Sequence, residues 1–198
     1  FGCYSALQML NSTSVAVYHT SSPSEVEWIV DNSDSKIIFV GHNPNDNREE
    51  DKMPIKRLLS ILDNIKSIET VVLMGDDIVA KRNEKIISWD DFIAKGTNIS
   101  EDDILERMNS IDGDDTSSLI YTSGTTGNPK GVELTHNNFK IELDSVGDVL
   151  KFDQGDRYVS WLPLAHVFGQ LVDNHYWVRR ALHMSIVDSP LNTIDYAK

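Results

Sequence analysis

Short apolar runs alternate with stretches of helical spacing along most of this chain, and that alternation constrains its fold more than any other feature. Residues 15 to 18, Lys36 to Val40 and Thr70 to Met74 are brief and rich in Val and Ile, which suits buried strands rather than helices. Between them, Ser22-Pro23-Ser24-Glu25 supplies an N-cap, a proline at the first helical position and a capping-box glutamate. Val26, Ile29 and Val30 form the inner face of the helix that follows, and Ile55, Leu58, Leu59, Leu62 and Ile65 recur at helical spacing further on. Strand and helix in turn predict an α/β fold, a mostly parallel sheet flanked by helices.

The later part of the chain continues the pattern less regularly. Gly41 stops the second strand, and His42 to Lys52 reads as a charged loop around Asn43-Pro44-Asn45. Gly75-Asp76-Asp77 ends the third strand. Residues 75 to 115 predict only helices at Asp90 to Lys95 and after Ser100, then a turn at Asp112-Gly113-Asp114-Asp115. Ser118 to Tyr121 and Val132 to Leu134 read as strands, and Thr135 to Leu150 as a helix capped at Thr135 or His136. Tyr158 to Leu162 is a strand broken by Pro163, a helix runs from about Val167 to Arg180, and Leu182 to Val187 is the last strand.

The bulk numbers exclude several classes of function. Thirty-one acids against eighteen bases give a formal charge of −13, which argues against nucleic acid as a partner and against a polybasic membrane anchor. No run approaches the length of a membrane span. The single cysteine, Cys3, rules out a disulfide framework, fits a reducing compartment and is expected to be a buried filler. The six histidines are scattered without metal-ligand spacing, so a structural zinc site is not expected. The chain starts at Phe1 inside a helical pattern, without the order of a signal peptide, and stops at Lys198 just after a helix start at Asn192-Thr193. It therefore reads as an interior piece of a longer protein.

Chemistry concentrates in Tyr121 to Val132, Tyr-Thr-Ser-Gly-Thr-Thr-Gly-Asn-Pro-Lys-Gly-Val. From Thr122 to Gly131 there are four hydroxyls, three glycines, one lysine and no acid. Such a loop can wrap backbone N–H groups, hydroxyls and an ammonium around phosphate oxygens. It is not a Walker A loop, because Pro129 stands where the second glycine should be and Lys130 precedes Gly131 rather than a hydroxyl. Gly124 and Gly127 also have the wrong separation for a dinucleotide turn. A plain Ser/Gly/Thr surface turn is the remaining alternative, and the density of donors around Pro-Lys-Gly weighs against it.

Thr-Ser-Gly-Thr-Thr-Gly-Asn-Pro-Lys-Gly resembles the phosphate loop of the AMP-binding, adenylate-forming enzymes, the superfamily of acyl-CoA synthetases, luciferases and peptide-synthetase adenylation domains. Trp161-Leu162-Pro163-Leu164-Ala165-His166-Val167-Phe168-Gly169 and Val17-Tyr18-His19-Thr20-Ser21-Ser22-Pro23-Ser24-Glu25 resemble segments of its long-chain fatty acid–CoA ligase branch. The resemblance implies part of the large N-terminal domain over residues 1 to 198. It implies an ATP-dependent reaction in which a carboxylate becomes an acyl-adenylate with loss of pyrophosphate, and coenzyme A then takes the acyl group.

It also implies that Thr122, Ser123, Gly124, Thr125, Thr126, Gly127 and Lys130 contact the triphosphate, with the Thr122 hydroxyl near Mg2+. His166 would pack against and orient the substrate carboxylate; by residue pattern alone it could equally be a satisfied histidine at a helix start. Trp161 and Phe168 could line an acyl tunnel, although such aromatics are more often core, and His136 suits a cap better than a ligand. The family's Tyr-Gly-x-Thr-Glu and Tyr-x-Thr-Gly-Asp motifs do not occur in these 198 residues, and its C-terminal lysine lies elsewhere. On its own the chain is therefore expected not to catalyse the reaction. Other readings stay open: another carboxylic acid, aryl or amino acid, transferred to CoA or a carrier protein, or a non-catalytic nucleotide-binding module. A cytoplasmic location is the default, peripheral membrane contact stays open, and the oligomeric state is not legible.

Overall fold

The structure is a computed structural model that describes residues 2–41, 53–75, 83–122 and 127–187. The chain divides into two compact units. One comprises Phe1–Ala16, Leu105–Ile120 and Val132–Lys198, and the other Val17–Ile104 and Tyr121–Gly131.

In the second of these, β2 (Ile37–Gly41), β3 (Thr70–Met74) and β4 (Ile86–Ser88) form a parallel sheet in the order β2-β3-β4. Ile37 pairs with Thr70, and Val71 pairs with Ile86. Val71, Val72 and Leu73 are wholly buried, as expected of a central strand covered on both faces. Helices α2 (Pro23–Asn32) and α3 (Pro54–Ile61) lie against the sheet, and Val30, Val40, Ile55, Leu58, Leu62, Ile65, Ile68 and Leu73 share one apolar core. The capping box read at Ser22 is present. The Ser22 hydroxyl accepts from the Glu25 N–H, and the Glu25 carboxylate accepts from the Ser22 N–H at 2.8 Å. α3 stops at Ile61, earlier than the apolar spacing implied, yet Leu62 and Ile65 are still buried beyond its end. The helix period located the core residues although it overestimated the helix.

β4 was not anticipated. Three residues, Ile86, Ile87 and Ser88, are too few to show an alternation, and the strand exists through its pairing with β3. Helix α4 (Trp89–Ala94) follows at once, capped by Ser88, and its Phe92 packs edge-on against Phe39 of β2 with ring centroids 5.2 Å apart. The loop expected from His42 to Lys52, the turn residues Asp76 and Asp77, and the helix start at Asn192-Thr193 lie outside the described residues.

In the first unit, α1 (Gly2–Met9) leads to β1 (Ser14–Val15), shorter than the strand read at 15 to 18. β1 pairs in parallel with β5 (Thr116–Thr122), Ser14 opposite Ser118, and β6 (Lys130–Thr135) completes the order β1-β5-β6. Helix α5 (Glu101–Asn109) precedes β5 and buries none of its residues. The turn at 112–115 closes on the start of α6 (His136–Val149). The Asn137 N–H donates to the Gly113 carbonyl at 2.7 Å, and a side chain at Gly113 would collide with Asn137. Thr135 is the cap of α6 and His136 its first residue.

β7 (Arg157–Ser160) and β8 (His183–Ile186) form a separate parallel pair, Arg157 opposite His183. Between them the helix expected from Val167 to Arg180 is present but widened. Gly169–Tyr176 is a π-helix, in which the Trp177 N–H reaches the Val172 carbonyl five residues back, and a short α7 (Trp177–Arg180) ends it. Cys3 is half-buried rather than enclosed. Among the described residues no helix is long and apolar enough to cross a membrane.

Candidate functional site

The two sets of residues singled out by sequence fall in different units, and each has its own geometry. In the second unit the loop leaves the C-terminal end of β5, where ligands of open α/β sheets commonly bind. Tyr121 is buried and Thr122 exposed. Ser123, Gly124, Thr125 and Thr126 lie outside the described residues. Gly127 has φ 149°, a backbone conformation that side chains disfavour. Lys130 is exposed at the start of β6, with its ammonium available to an anion from solvent.

Both ends of this loop are tied to α2. The Tyr121 hydroxyl donates to the Asn32 side-chain oxygen at 2.7 Å, and the Trp28 indole N–H donates to the Pro129 carbonyl at 2.9 Å. Burial raises the Tyr121 phenol above its ordinary pKa, with the nearby Ser33 side chain as a smaller opposing influence. The phenol therefore remains a donor at neutral pH. A Cβ at Gly131 would lie 3.1 Å from the Tyr121 ring, so glycine there lets the two ends of the loop pack closely.

In the first unit, His166 lies in the turn after Pro163. Its carbonyl accepts from the Gln170 N–H at 3.1 Å, and its Nδ1 accepts from the Phe168 N–H at 3.2 Å. The local helix-start reading of His166 is thus realised, and the imidazole is exposed. Because Nδ1 accepts, the neutral ring carries its proton on Nε2, which leaves that nitrogen as a donor. Trp161 and Phe168 are 51% and 47% exposed, so neither is core. Gly169 is required where it stands, since a Cβ would come within 2.6 Å of the Pro163 carbonyl oxygen.

Behind the turn lies a buried polar network that the sequence reading missed. Gln170 is fully buried; its amide donates to the Leu164 carbonyl at 2.8 Å, and its oxygen accepts from Tyr4 at 2.6 Å and Ser118 at 3.1 Å. Gln8 donates to Tyr4 and to Ser117, and Ser5 donates to Asn174. Ser160 donates to Asp173 at 2.7 Å, and burial raises the Asp173 carboxyl above its usual range while that bond opposes the shift. Gln170, Asp173 and Asn174 stand at helical spacing and are all buried. The available signal was a polar stripe where a helix ordinarily places apolar residues.

His175, left unassigned by sequence, packs against the Phe139 ring at 4.6 Å and edge-on to Tyr4. Burial, with repulsion from His136 as a lesser cause, pushes its pKa down from 6.5 to about 4. Between those two values the unfolded chain binds the proton and the folded one does not, so acid favours unfolding. The stability His175 contributes is complete above pH 6.5 and lost as the pH falls towards 4, on the order of 3 kcal/mol. We expect His175→Phe to flatten the fall in melting temperature over this range. An unchanged slope would contradict the assignment.

No group of three or more His, Cys, Asp or Glu side chains is arranged to hold a metal among the described residues. The part of the loop that is described offers a cation the Thr122 hydroxyl.

The family model described as AMP-binding enzyme matches residues 3–195. The human long-chain-fatty-acid–CoA ligase ACSBG2 is 30% identical over 166 residues, covering 83% of this chain and 23% of that protein. The hop (Humulus lupulus) protein named "Probable CoA ligase CCL6" is 34% identical over 175 residues, covering 82% of this chain and 24% of its own length. The chain thus spans about a quarter of these curated relatives. Among solved structures, a red-emitting luciferase from Phrixothrix hirtus superposes with a TM-score of 0.73 at 16% identity, over 96% of this chain and 34% of that one, a likeness of fold.

Proposed function

Since this chain belongs to the AMP-binding enzyme family, we propose that the protein is an ATP-dependent long-chain fatty acid–CoA ligase. The observation that carries the reading is the segment Thr122 to Gly131, rich in hydroxyls and glycines, which leaves the end of β5 and closes on the exposed Lys130. Thr122, Ser123, Gly124, Thr125, Thr126, Gly127 and Lys130 grip the triphosphate. The substrate carboxylate attacks the α-phosphorus of ATP, the bond to the bridging oxygen breaks, and pyrophosphate leaves. A thiol then attacks the acyl carbonyl and AMP departs, giving the thioester.

The first step needs no general base, because a fatty acid with a pKa of about 4 to 5 is already ionised. It needs orientation and neutralisation of charge at the phosphoryl group. Lys130 and the loop donors supply these on the pyrophosphate side. His166, whose Nδ1 is engaged by the Phe168 N–H, presents Nε2–H to orient the carboxylate. Magnesium, when bound, screens phosphate charge, and Thr122 is the described residue that would reach it.

The long-chain assignment rests on the Leu162 to His166 segment and on relatives such as human ACSBG2. Adenylation of another acid is the second reading, favoured by the match to a plant CoA ligase whose name specifies no acid. Pyrophosphate release by the full-length protein with palmitate, benzoate, cinnamate and amino acids separates them. We expect palmitate to give the highest kcat/KM. A higher value with an aryl or amino acid would replace the long-chain reading, and no release with any acid would leave a nucleotide-binding module.

A further inference from the structure

Helix α2 has two working faces. Val30 is buried in the core of the second unit with Val26 packed against that core, and Ile29 is also buried. Trp28 and Asn32, one helical turn apart, form a second stripe that does not enter that core. Trp28 is 38% exposed, a poor position for an indole unless its N–H and ring are used.

Both residues are used, and on the same target. Asn32 accepts from the Tyr121 hydroxyl, where the loop begins, and Trp28 donates to the Pro129 carbonyl, where it ends. These two loop residues are eight apart in sequence, yet they are held by side chains four apart on one rigid helix. The close fit of Gly131 against the Tyr121 ring brings the same two ends together.

The bond from Trp28 has a specific geometric effect. The Pro129 carbonyl and the Lys130 N–H belong to one planar peptide unit. An indole that fixes the carbonyl also fixes that plane, and with it the direction in which the Lys130 backbone sets off. The lysine side chain is exposed, and its point of attachment is fixed by this bond.

We propose that Trp28 and Asn32 are positioning residues for nucleotide binding, holding the two ends of the Tyr121–Lys130 segment from α2 so that Lys130 is presented to the phosphates. This inference rests on the reading of that segment as the triphosphate grip. It assigns to a helix distant in sequence a role in affinity for ATP, with none in affinity for the acid.

The test uses the full-length protein and four variants: Trp28→Phe, which keeps a ring and removes the donor; Trp28→Ala; Asn32→Leu, which removes the acceptor; and Asn32→Asp, which retains it. Binding of radiolabelled ATP is measured by equilibrium dialysis, and the KM values for ATP and for the acid by pyrophosphate exchange. Loss of one such hydrogen bond should weaken ATP binding by about three- to tenfold in Trp28→Phe and Asn32→Leu. The KM for the acid should be unchanged, and Asn32→Asp, which keeps the Tyr121 bond, should lose less ATP affinity than Asn32→Leu. Wild-type affinity for ATP in Trp28→Phe and Asn32→Leu would overturn the proposal. So would equal rises in both KM values, or a loss in Asn32→Asp equal to that in Asn32→Leu. If wild type binds ATP but exchanges pyrophosphate with no acid, the ligase reading falls while dialysis still decides the role of α2. If wild type does not bind ATP, both fall.

Discussion

Lys130→Ala in the full-length protein should lower carboxylate-dependent pyrophosphate exchange by about 10²- to 10³-fold, the usual effect of removing one preorganised charge-stabilising donor. The loss should fall on catalysis with little effect on folding. Lys130 is exposed at the first position of β6 and makes no ion pair among the described residues. Truncation there removes no buried contact, and such changes ordinarily alter stability by no more than about 0.5 kcal/mol. Lys130→Arg keeps the charge but replaces a compact ammonium with a planar fork, so it should recover only part of the activity. Exchange at the wild-type rate in Lys130→Ala would remove Lys130 from the site. A large fall in melting temperature would show that it supports β6 instead.

The separation between catalysis and folding expected at Lys130 rests on how the segment is composed and held. The segment is composed mainly of hydroxyls, glycines and one lysine, whereas the support of its described ends comes from Tyr121, Trp28 and Asn32. Sequence showed the first part plainly, because hydroxyls, glycines and a lysine without an acid form a local pattern. It could not show the second. Trp28 and Pro129 are about a hundred positions apart, and nothing in α2 beyond an off-core tryptophan marks the contact. The same distinction runs through the fold. The capping box at Ser22, the strand Thr70–Met74 and the buried faces of α2 and α3 were legible because each rests on neighbouring residues. β4 and the widening of the helix at Gly169–Tyr176 were not, since the first depends on a partner strand and no local residue pattern marks the second. At His166 the residue pattern left two roles open, and the structure shows the local one in its bond to the Phe168 N–H.

Gln170→Leu should be the most destabilising of the substitutions considered, lowering stability by about 2–5 kcal/mol. The volume is nearly conserved, so the effect isolates polar satisfaction. In the wild type, one fully buried amide donates to the Leu164 carbonyl and accepts from Tyr4 and Ser118. Leucine leaves the Tyr4 hydroxyl without its acceptor and the Leu164 carbonyl without that donor. Each buried polar group stranded in this way costs about 1–3 kcal/mol. Ser118 loses less, because its hydroxyl also reaches the Ser14 carbonyl. For a domain of this size the penalty corresponds to a fall of roughly 5–15 °C in melting temperature. Adding Tyr4→Phe should return part of the loss, since an apolar pair strands fewer groups than a half-removed polar one. The Gln170 amide also restrains Leu164, two residues before His166, so kcat should fall even at temperatures where Gln170→Leu remains folded. If the double variant is simply the sum of the two single losses, Tyr4 and Gln170 do not act together. The polar stripe on the π-helix would then need another explanation than the support of the turn that carries His166.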